Sequence, residues 1–247
     1  MSELPAWLFA EALPGLRRPL TVAEGTSLSK YLILLRKWQA IVRLVGSTGT
    51  KWIVDNVLLD SLAFLELFPT HARTAVDIGS GAGIPGVPIA IVRPDLRLTL
   101  IEARRKRASF LATVVRELGL TNAWVVHGRV EDLAADEGRG AEMERRDTEI
   151  ERPATEVEDP DAEVEDAGAD VDGAGAEVDR RSERGGRFDV AIARCVASER
   201  AIVPLALAVV RPGGLLITSA GPSAEPGSVV IEIRRGHPRH FRVHRKP

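Results

Sequence analysis

The stretch Thr74-Ala75-Val76-Asp77-Ile78-Gly79-Ser80-Gly81-Ala82-Gly83 limits the possible folds more than any other part of this chain. A short run that suits a β-strand ends in an acid and passes directly into glycine at every second position. Glycines at 79, 81 and 83 let the backbone turn sharply and approach a ligand without Cβ clashes. The next strand candidate ends in Glu102, about twenty residues on, where an acid can hold ribose hydroxyls. Together these describe a nucleoside site at the carboxyl edge of a parallel sheet.

The surroundings of that loop repeat its pattern. Strands are predicted at 74–78, 97–102, 123–127, 188–193 and 215–218, with helices at about 86–92, 104–119 and 199–210 between them. Arg211-Pro212-Gly213-Gly214 turns the chain into the strand that follows it. Segments from Val229 to Ile233 and from His240 to His244 read as a closing antiparallel pair. Strands and helices in this order imply a largely parallel sheet covered on both faces. Ahead of it, Leu28, Tyr31, Leu32, Leu35, Trp38, Val42 and Val45 recur at helical spacing and predict a helix over about 25–45. Tyr31 and Trp38 lie on that apolar stripe and are expected in the core. Gly46-Ser47-Thr48-Gly49 breaks the helix, and a second runs from Lys51 to about Leu67, before Pro69.

Charge divides the chain unevenly. Between Ala135 and Arg187 there are 19 Asp and Glu against 8 Arg, a balance of −11, whereas the remainder carries +9 and the whole −2. The acidic segment is nearly free of large apolar residues and repeats an Ala-x-Val-x-Asp phrase, so it is predicted to be a disordered insertion. The domain plan is therefore an N-terminal helical extension at 1–72, a sheet domain at 73–134 and 188–247, and the insertion at 135–187. A basic body suits a polyanionic partner such as RNA. No apolar run approaches a membrane span, and the start lacks the basic-then-apolar order of a signal peptide. The single cysteine, Cys195, fits a reducing cytosol, and a cytoplasmic location is expected. Cys195 is expected as a small buried residue rather than a nucleophile. His237, His240 and His244 lack metal-ligand spacing, so no metal is expected.

Gly81-Ala82-Gly83-Ile84-Pro85-Gly86 satisfies the dinucleotide fingerprint, which keeps a dehydrogenase in view. Asp77 argues against it, because a diphosphate at the end of that strand would meet a negative charge. A nucleoside carrying a sulfonium and an ammonium group would welcome the acid. S-adenosylmethionine is such a ligand, and D-x-G-x-G-x-G is the sequence form of its loop.

More specific phrases surround the loop: Tyr31-Leu32-x-Leu34-Leu35-x-Lys37-Trp38, Leu59-Asp60-Ser61-Leu62, Ile84-Pro85-Gly86-Val87-Pro88, Lys106-Arg107-x-x-Phe110-Leu111, Gly128-Arg129-Val130-Glu131-Asp132, Ala193-Arg194-x-Val196-Ala197 and Arg239-His240-Phe241. By these the chain resembles the glucose-inhibited division protein B family, bacterial methyltransferases of guanine N7 in 16S rRNA, over nearly all of its length outside the insertion. The resemblance implies an α/β, class I S-adenosylmethionine-dependent methyltransferase. Its Rossmann-like, mostly parallel seven-stranded sheet carries an N-terminal helical extension. It implies that Asp77, Gly79, Ser80, Gly81 and Gly83 hold the methionine end and ribose of S-adenosylmethionine. Glu102 would sit on the ribose hydroxyls and the backbone near Val130 and Glu131 at the adenine edge. Arg194 would stand beside the transferred methyl as the catalytic residue and a cofactor contact. The implied partner is 16S rRNA or a small-subunit assembly particle, met by a monomer without membrane or metal.

Two positions depart from the family pattern. Asn56-Val57 stands where the family usually has Arg-His, and Ala220-Gly221 where it has Lys-Gly. The departures leave open a methyltransferase with another RNA or a small molecule as acceptor, or a non-catalytic S-adenosylmethionine-binding module. Two basic regions, Arg104-Arg105-Lys106-Arg107 and Arg234 to Lys246, read either as solvated faces or as phosphate contacts.

Overall fold

In the computed structural model, strand β1 (Thr74–Ile78) sits in the middle of the sheet and serves both faces. Side chains alternate along a strand, so Val76 and Ile78 pack with Ile101, Ala191, Ile202 and Leu216. Ala75 joins the larger cluster with Leu28, Phe64, Val87 and Phe110 on the opposite face. The structure describes residues 4–135, 188–194, 199–220, 227–234 and 237–247. The predicted insertion at 135–187, apart from Ala135, lies outside them, as do Cys195 and Gly221.

Six further strands follow: β2 (Arg97–Glu102), β3 (Ala123–His127), β4 (Phe188–Ala193), β5 (Val210–Ala220), β6 (Val229–Glu232) and β7 (Pro238–Arg245). Their order is β3-β2-β1-β4-β5-β7-β6. The first five strands run parallel, and β7 is antiparallel to both β5 and β6. This is the mostly parallel, seven-stranded sheet that the resemblance implies. Every residue of β4 is buried, as a strand covered on both faces requires. β5 begins earlier than predicted. Its pairing jumps from Phe188↔Val210 to Val190↔Leu215, so Arg211-Pro212-Gly213-Gly214 bulges out of the ladder before the regular register resumes.

Helices α1 (Val22–Gln39), α4 (Gly86–Val92) and α5 (Arg105–Leu118) cover one face, and α6 (Val130–Ala135) and α7 (Glu199–Val209) the other. α1 opens on a capping box in which Thr21 accepts from the Glu24 N–H and Glu24 accepts from the Thr21 N–H. It ends six residues short of the predicted Val45 because Gln39 folds the chain back on itself. The Gln39 amide oxygen accepts from the Leu44 and Val45 N–H groups, and its nitrogen donates to the Val45 carbonyl. The second predicted helix is one helical run from Thr50 to Leu67 with mixed winding: α2 (Thr50–Ile53), a π segment (Val54–Leu59), α3 (Asp60–Ala63) and a 3₁₀ turn (Phe64–Leu67).

Register fixes what meets at the carboxyl edge. Ile78 pairs with Ile101 on one side and Ala193 on the other, so Gly79 and Arg194, just beyond their strands, stand level with Glu102, the last residue of β2. At the opposite edge Asp189 ties β4 to the start of β1. Its carboxylate accepts from the Arg73 N–H at 2.6 Å and the Thr74 N–H at 2.9 Å, and it pairs with Arg211 at 2.7 Å. Burial alone would raise its pKa, but the hydrogen bonds from Arg73 and Thr74 and the charge of Arg211 outweigh it and hold the carboxyl below its usual value of 3.8. Asp189→Ala is therefore expected to cost about 1–2 kcal/mol by leaving two part-buried backbone donors without their acceptor, measured as a lowered urea midpoint. The wild-type advantage is complete above pH 3.8 and fades as pH falls through the lower folded pKa; an advantage that persists in acid would contradict this.

Candidate active site

The glycine loop turns through left-handed backbone at Gly79 (φ 70°), Gly81 (φ 58°) and Gly83 (φ 82°). At Gly83 a Cβ would also lie 2.6 Å from Val87 Cγ2, so both shape and space demand glycine there. The loop is fastened on three sides. The Gly81 N–H donates to Glu102 Oε2 at 2.9 Å, and the Ser80 N–H to the Ile101 carbonyl at 2.9 Å. From α1, the fully buried Tyr31 hydroxyl donates to the Ala82 carbonyl at 2.6 Å.

Asp77 is completely buried beneath this loop. Its Oδ2 accepts from the Gly86 N–H at 3.0 Å, which pins the start of α4 to the end of β1. Its Oδ1 is buried with no partner among the described residues. Burial pushes the carboxyl up to about 7, against the opposing pull of the Gly86 N–H, the neighbouring Ser80 hydroxyl and the Arg194 charge. An acid in this state favours any ligand that brings positive charge to it.

Arg194 follows β4 and reaches the helical run rather than a neighbouring strand. Its Nε lies 2.6 Å from Asp60 Oδ2 in an ion pair, and its Nη2 donates to the Asn56 carbonyl at 3.2 Å. Asp60 Oδ1 meanwhile accepts from Arg239 Nε at 2.7 Å. Arg239 also donates to the Asp55 carbonyl and to Asn56 Oδ1. Asp55 pairs with Arg234 at 3.1 Å and Lys51 at 3.4 Å. The π winding makes this possible. Residues five apart lie about 140° apart around an α-helix, but only roughly 50° apart where bonds run from i to i+5. Asp55 and Asp60 thus turn to the same arginine-bearing side.

The predicted residues therefore gather at one edge, with specific duties. Ser80 is buried and its hydroxyl donates to the Asp77 carbonyl. Both oxygens of Glu102 hold backbone N–H groups, those of Gly81 and Arg104. Val130 starts α6 with its side chain buried in the smaller core cluster, while Glu131 is exposed. Next to the loop, Arg104, Arg105, Lys106 and Arg107 line a cleft of about 610 Å³ with residues 42–46. Among the described residues no group of His, Cys, Asp and Glu could hold a metal.

Sequence reasoning passed over Asp55 and Asp60 as bonding partners and assigned Tyr31 only to the core. For Asp60 a signal existed, since a carboxylate inside an otherwise apolar Leu-Leu-Asp-Ser-Leu run needs a partner once buried.

Comparison with known proteins gives consistent relatives. A family model described as rRNA small subunit methyltransferase G matches residues 24–152. The protein named ribosomal RNA small subunit methyltransferase G in Sorangium cellulosum is 33% identical over 219 residues, which is 88% of this chain and 72% of that protein. The Desulfotalea psychrophila protein of the same name is 48% identical over 103 residues, 41% of this chain and 47% of that protein. The one from Neisseria meningitidis is 43% identical over 109 residues, 43% of this chain and 52% of that protein. The alignment thus spans nearly three quarters of the first relative and about half of the other two.

Two measurements probe the edge directly. Between pH 4 and 7 the folded protein holds a proton on Asp77 that the unfolded chain releases, so ionisation of this group lowers stability as pH rises. Asp77→Asn removes that penalty. Its melting temperature relative to wild type is expected to climb from pH 4 to pH 8, whereas parallel melting curves would rule out the raised pKa. Tyr31→Phe leaves the Ala82 carbonyl without its donor and is expected to cost about 1–3 kcal/mol in chemical denaturation; an unchanged midpoint would show that the tie contributes nothing.

Proposed function

Because the chain belongs to the rRNA small subunit methyltransferase G family, we propose that it transfers a methyl group from S-adenosylmethionine to guanine N7 in 16S rRNA. The observation that carries this reading is the buried, unpartnered Oδ1 of Asp77 beneath a left-handed glycine loop. A diphosphate would be repelled there, and a ligand bearing sulfonium and ammonium charge would be stabilised. The residues fit that cofactor. The backbone of Gly79, Gly81 and Gly83 and the charge of Asp77 would hold its methionine end. Glu102 keeps lone pairs for ribose hydroxyls beyond those used by Gly81 and Arg104. The backbone at Val130 and Glu131, just past β3, is at the same edge for the adenine. The absence of an apolar membrane-length helix among the described residues, together with the lone cysteine, supports work in the cytoplasm.

S-adenosylmethionine, when bound, supplies a methyl carbon on a positively charged sulfur. Guanine N7 offers a lone pair and carries no proton in the major-groove edge, so the transfer needs no general base. What the protein must supply is alignment and a suitable field. Arg194 is suited to both duties. It stands level with Gly79, and Asp60 and Asn56 fix its guanidinium before any substrate arrives. Its remaining N–H donors can hold guanine O6 or a phosphate.

Arg194→Ala is expected to lower turnover on small-subunit RNA by about 10²–10³-fold while S-adenosylhomocysteine binds in calorimetry as before. Unchanged turnover would remove Arg194 from the reaction. Calorimetry should show binding of S-adenosylhomocysteine and none of NAD, and the reverse would return the loop to a dehydrogenase. Mass mapping of 16S rRNA from cells with and without the gene is expected to lose one N7-methylguanosine; an unchanged pattern would refute this acceptor and leave the cofactor reading intact.

A further inference from the structure

A cleft of about 650 Å³ opens between α2 and the β6–β7 hairpin, with Asn56, whose carbonyl accepts from Arg194, in its wall. That volume lies within the range of small-molecule pockets, ~300–1,000 Å³. Lys51, Trp52, Asp55, Asn56, His237 and Arg239 line it, with the Asp55 carboxylate paired to Lys51 and Arg234. Its charge is layered. The carboxylates of Asp55 and Asp60 are both 7% exposed, and they hold Lys51, Arg194, Arg234 and Arg239. Four cations on two acids leave an excess of positive charge, and it faces outward, since Lys51 is 78% exposed and Arg234 41%. Buried ion pairs of this kind add little stability over an apolar core. Their effect here is to hold cations in fixed positions around an opening. Among the described residues the His237 imidazole and the Trp52 indole have no polar partner, so both remain available to a ligand.

We propose that this cleft seats a nucleotide of a single-stranded RNA segment, its phosphodiester against Lys51 and His237. Excess positive charge beside an aromatic wall is what single-stranded nucleic acid requires of a protein surface. Position supports the same ligand. The Asn56 carbonyl, on the cleft wall, accepts from Arg194 Nη2, and Arg194 stands level with Gly79. One guanidinium therefore separates the cleft from the cofactor loop, and a strand lying in it brings its neighbouring base toward that loop. The inference rests on the methyltransferase reading for its geometry, but its test does not.

The test is fluorescence anisotropy of the full chain with a short, guanine-bearing single-stranded RNA, run beside calorimetry with S-adenosylhomocysteine. Lys51→Glu is expected to weaken RNA binding about tenfold, and His237→Ala to weaken it to a lesser degree. Lys51→Gln, which keeps the exposed side chain without its charge, should make the salt dependence shallower by about one released counterion. Affinity for S-adenosylhomocysteine stays at the wild-type value in all three. Lys30→Glu, an exposed charge change on α1, should leave RNA binding almost intact. Wild-type RNA affinity in both Lys51 variants overturns the cleft, as does an equal loss in Lys30→Glu. Wild-type protein that binds RNA through Lys51 but not S-adenosylhomocysteine sinks the methyltransferase reading and leaves the cleft standing.

Discussion

A carboxylate buried at the end of β1, with one oxygen bonded to backbone and the other unpartnered among the described residues, governs the edge around it. Asp77 Oδ2 accepts from the Gly86 N–H, and this bond sets where α4 begins. Only glycine fits at 86, because a Cβ there would lie 2.3 Å from Leu100 Cδ2 and 2.6 Å from that same Oδ2. The chain must therefore leave β1, reverse and return within a few residues, which is why the intervening loop uses left-handed backbone at 79, 81 and 83. Glu102 from β2 and Tyr31 from α1 then fasten the loop from outside. Burying Asp77 is costly even with the Arg194 charge nearby, and that burial is what raises its pKa. Under the proposed reading, a cationic ligand would relieve the cost.

The opposite wall follows a different logic. There the acids are ion-paired, Asp60 Oδ2 by charge alone, and cations line the opening. The π segment is the device: by underwinding between Val54 and Leu59 it turns Asp55 and Asp60 to the same side, where strands β4 and β7 and the hairpin deliver arginines. One departure from the family pattern lies on this wall: Asn56 stands where the family usually has a cation, and its side-chain oxygen accepts from Arg239. Arg239 belongs to a phrase the chain shares with the family, so it does not replace the missing charge, and nothing among the described residues explains Asn56 or Ala220.

Much of this was legible in the sequence, for reasons that differ by element. The strands at 74–78, 97–102, 123–127 and 188–193 have the predicted bounds, since parallel strands buried on both faces leave compact apolar runs between turn residues. The ends of α1 were less legible. Its start depends on the Thr21–Glu24 capping box, which lies ahead of the apolar stripe, and its end on a side-chain fold-back by Gln39 that no periodicity records. Val45 kept the helical spacing and is buried, but from irregular chain. The π segment was invisible for a related reason: Val54, Val57, Leu58, Leu62 and Leu65 keep ordinary α-helical spacing, so nothing in the apolar pattern marks the change of winding. The site residues were found by type and position, whereas their partners, Asp60 for Arg194 and Tyr31 for the loop, depend on tertiary packing between segments distant in sequence.

Arg194 brings these two walls together. An arginine held by a carboxylate and a carbonyl could be taken as a purely structural bridge, its charge already neutralised. That account overlooks the sharing of Asp60. One carboxylate serves both Arg194 and Arg239, so the local group keeps positive charge after pairing. A guanidinium also has more N–H donors than the two contacts of Arg194 consume. Being held then becomes an advantage. A free arginine would have to lose side-chain entropy and shed water to meet a substrate, whereas one already fixed meets it with little reorganisation. Under the proposed reading, the ion pair with Asp60 would do for the acceptor side what the bond from Gly86 to Asp77 would do for the cofactor side: fix the position of a charge before any ligand arrives.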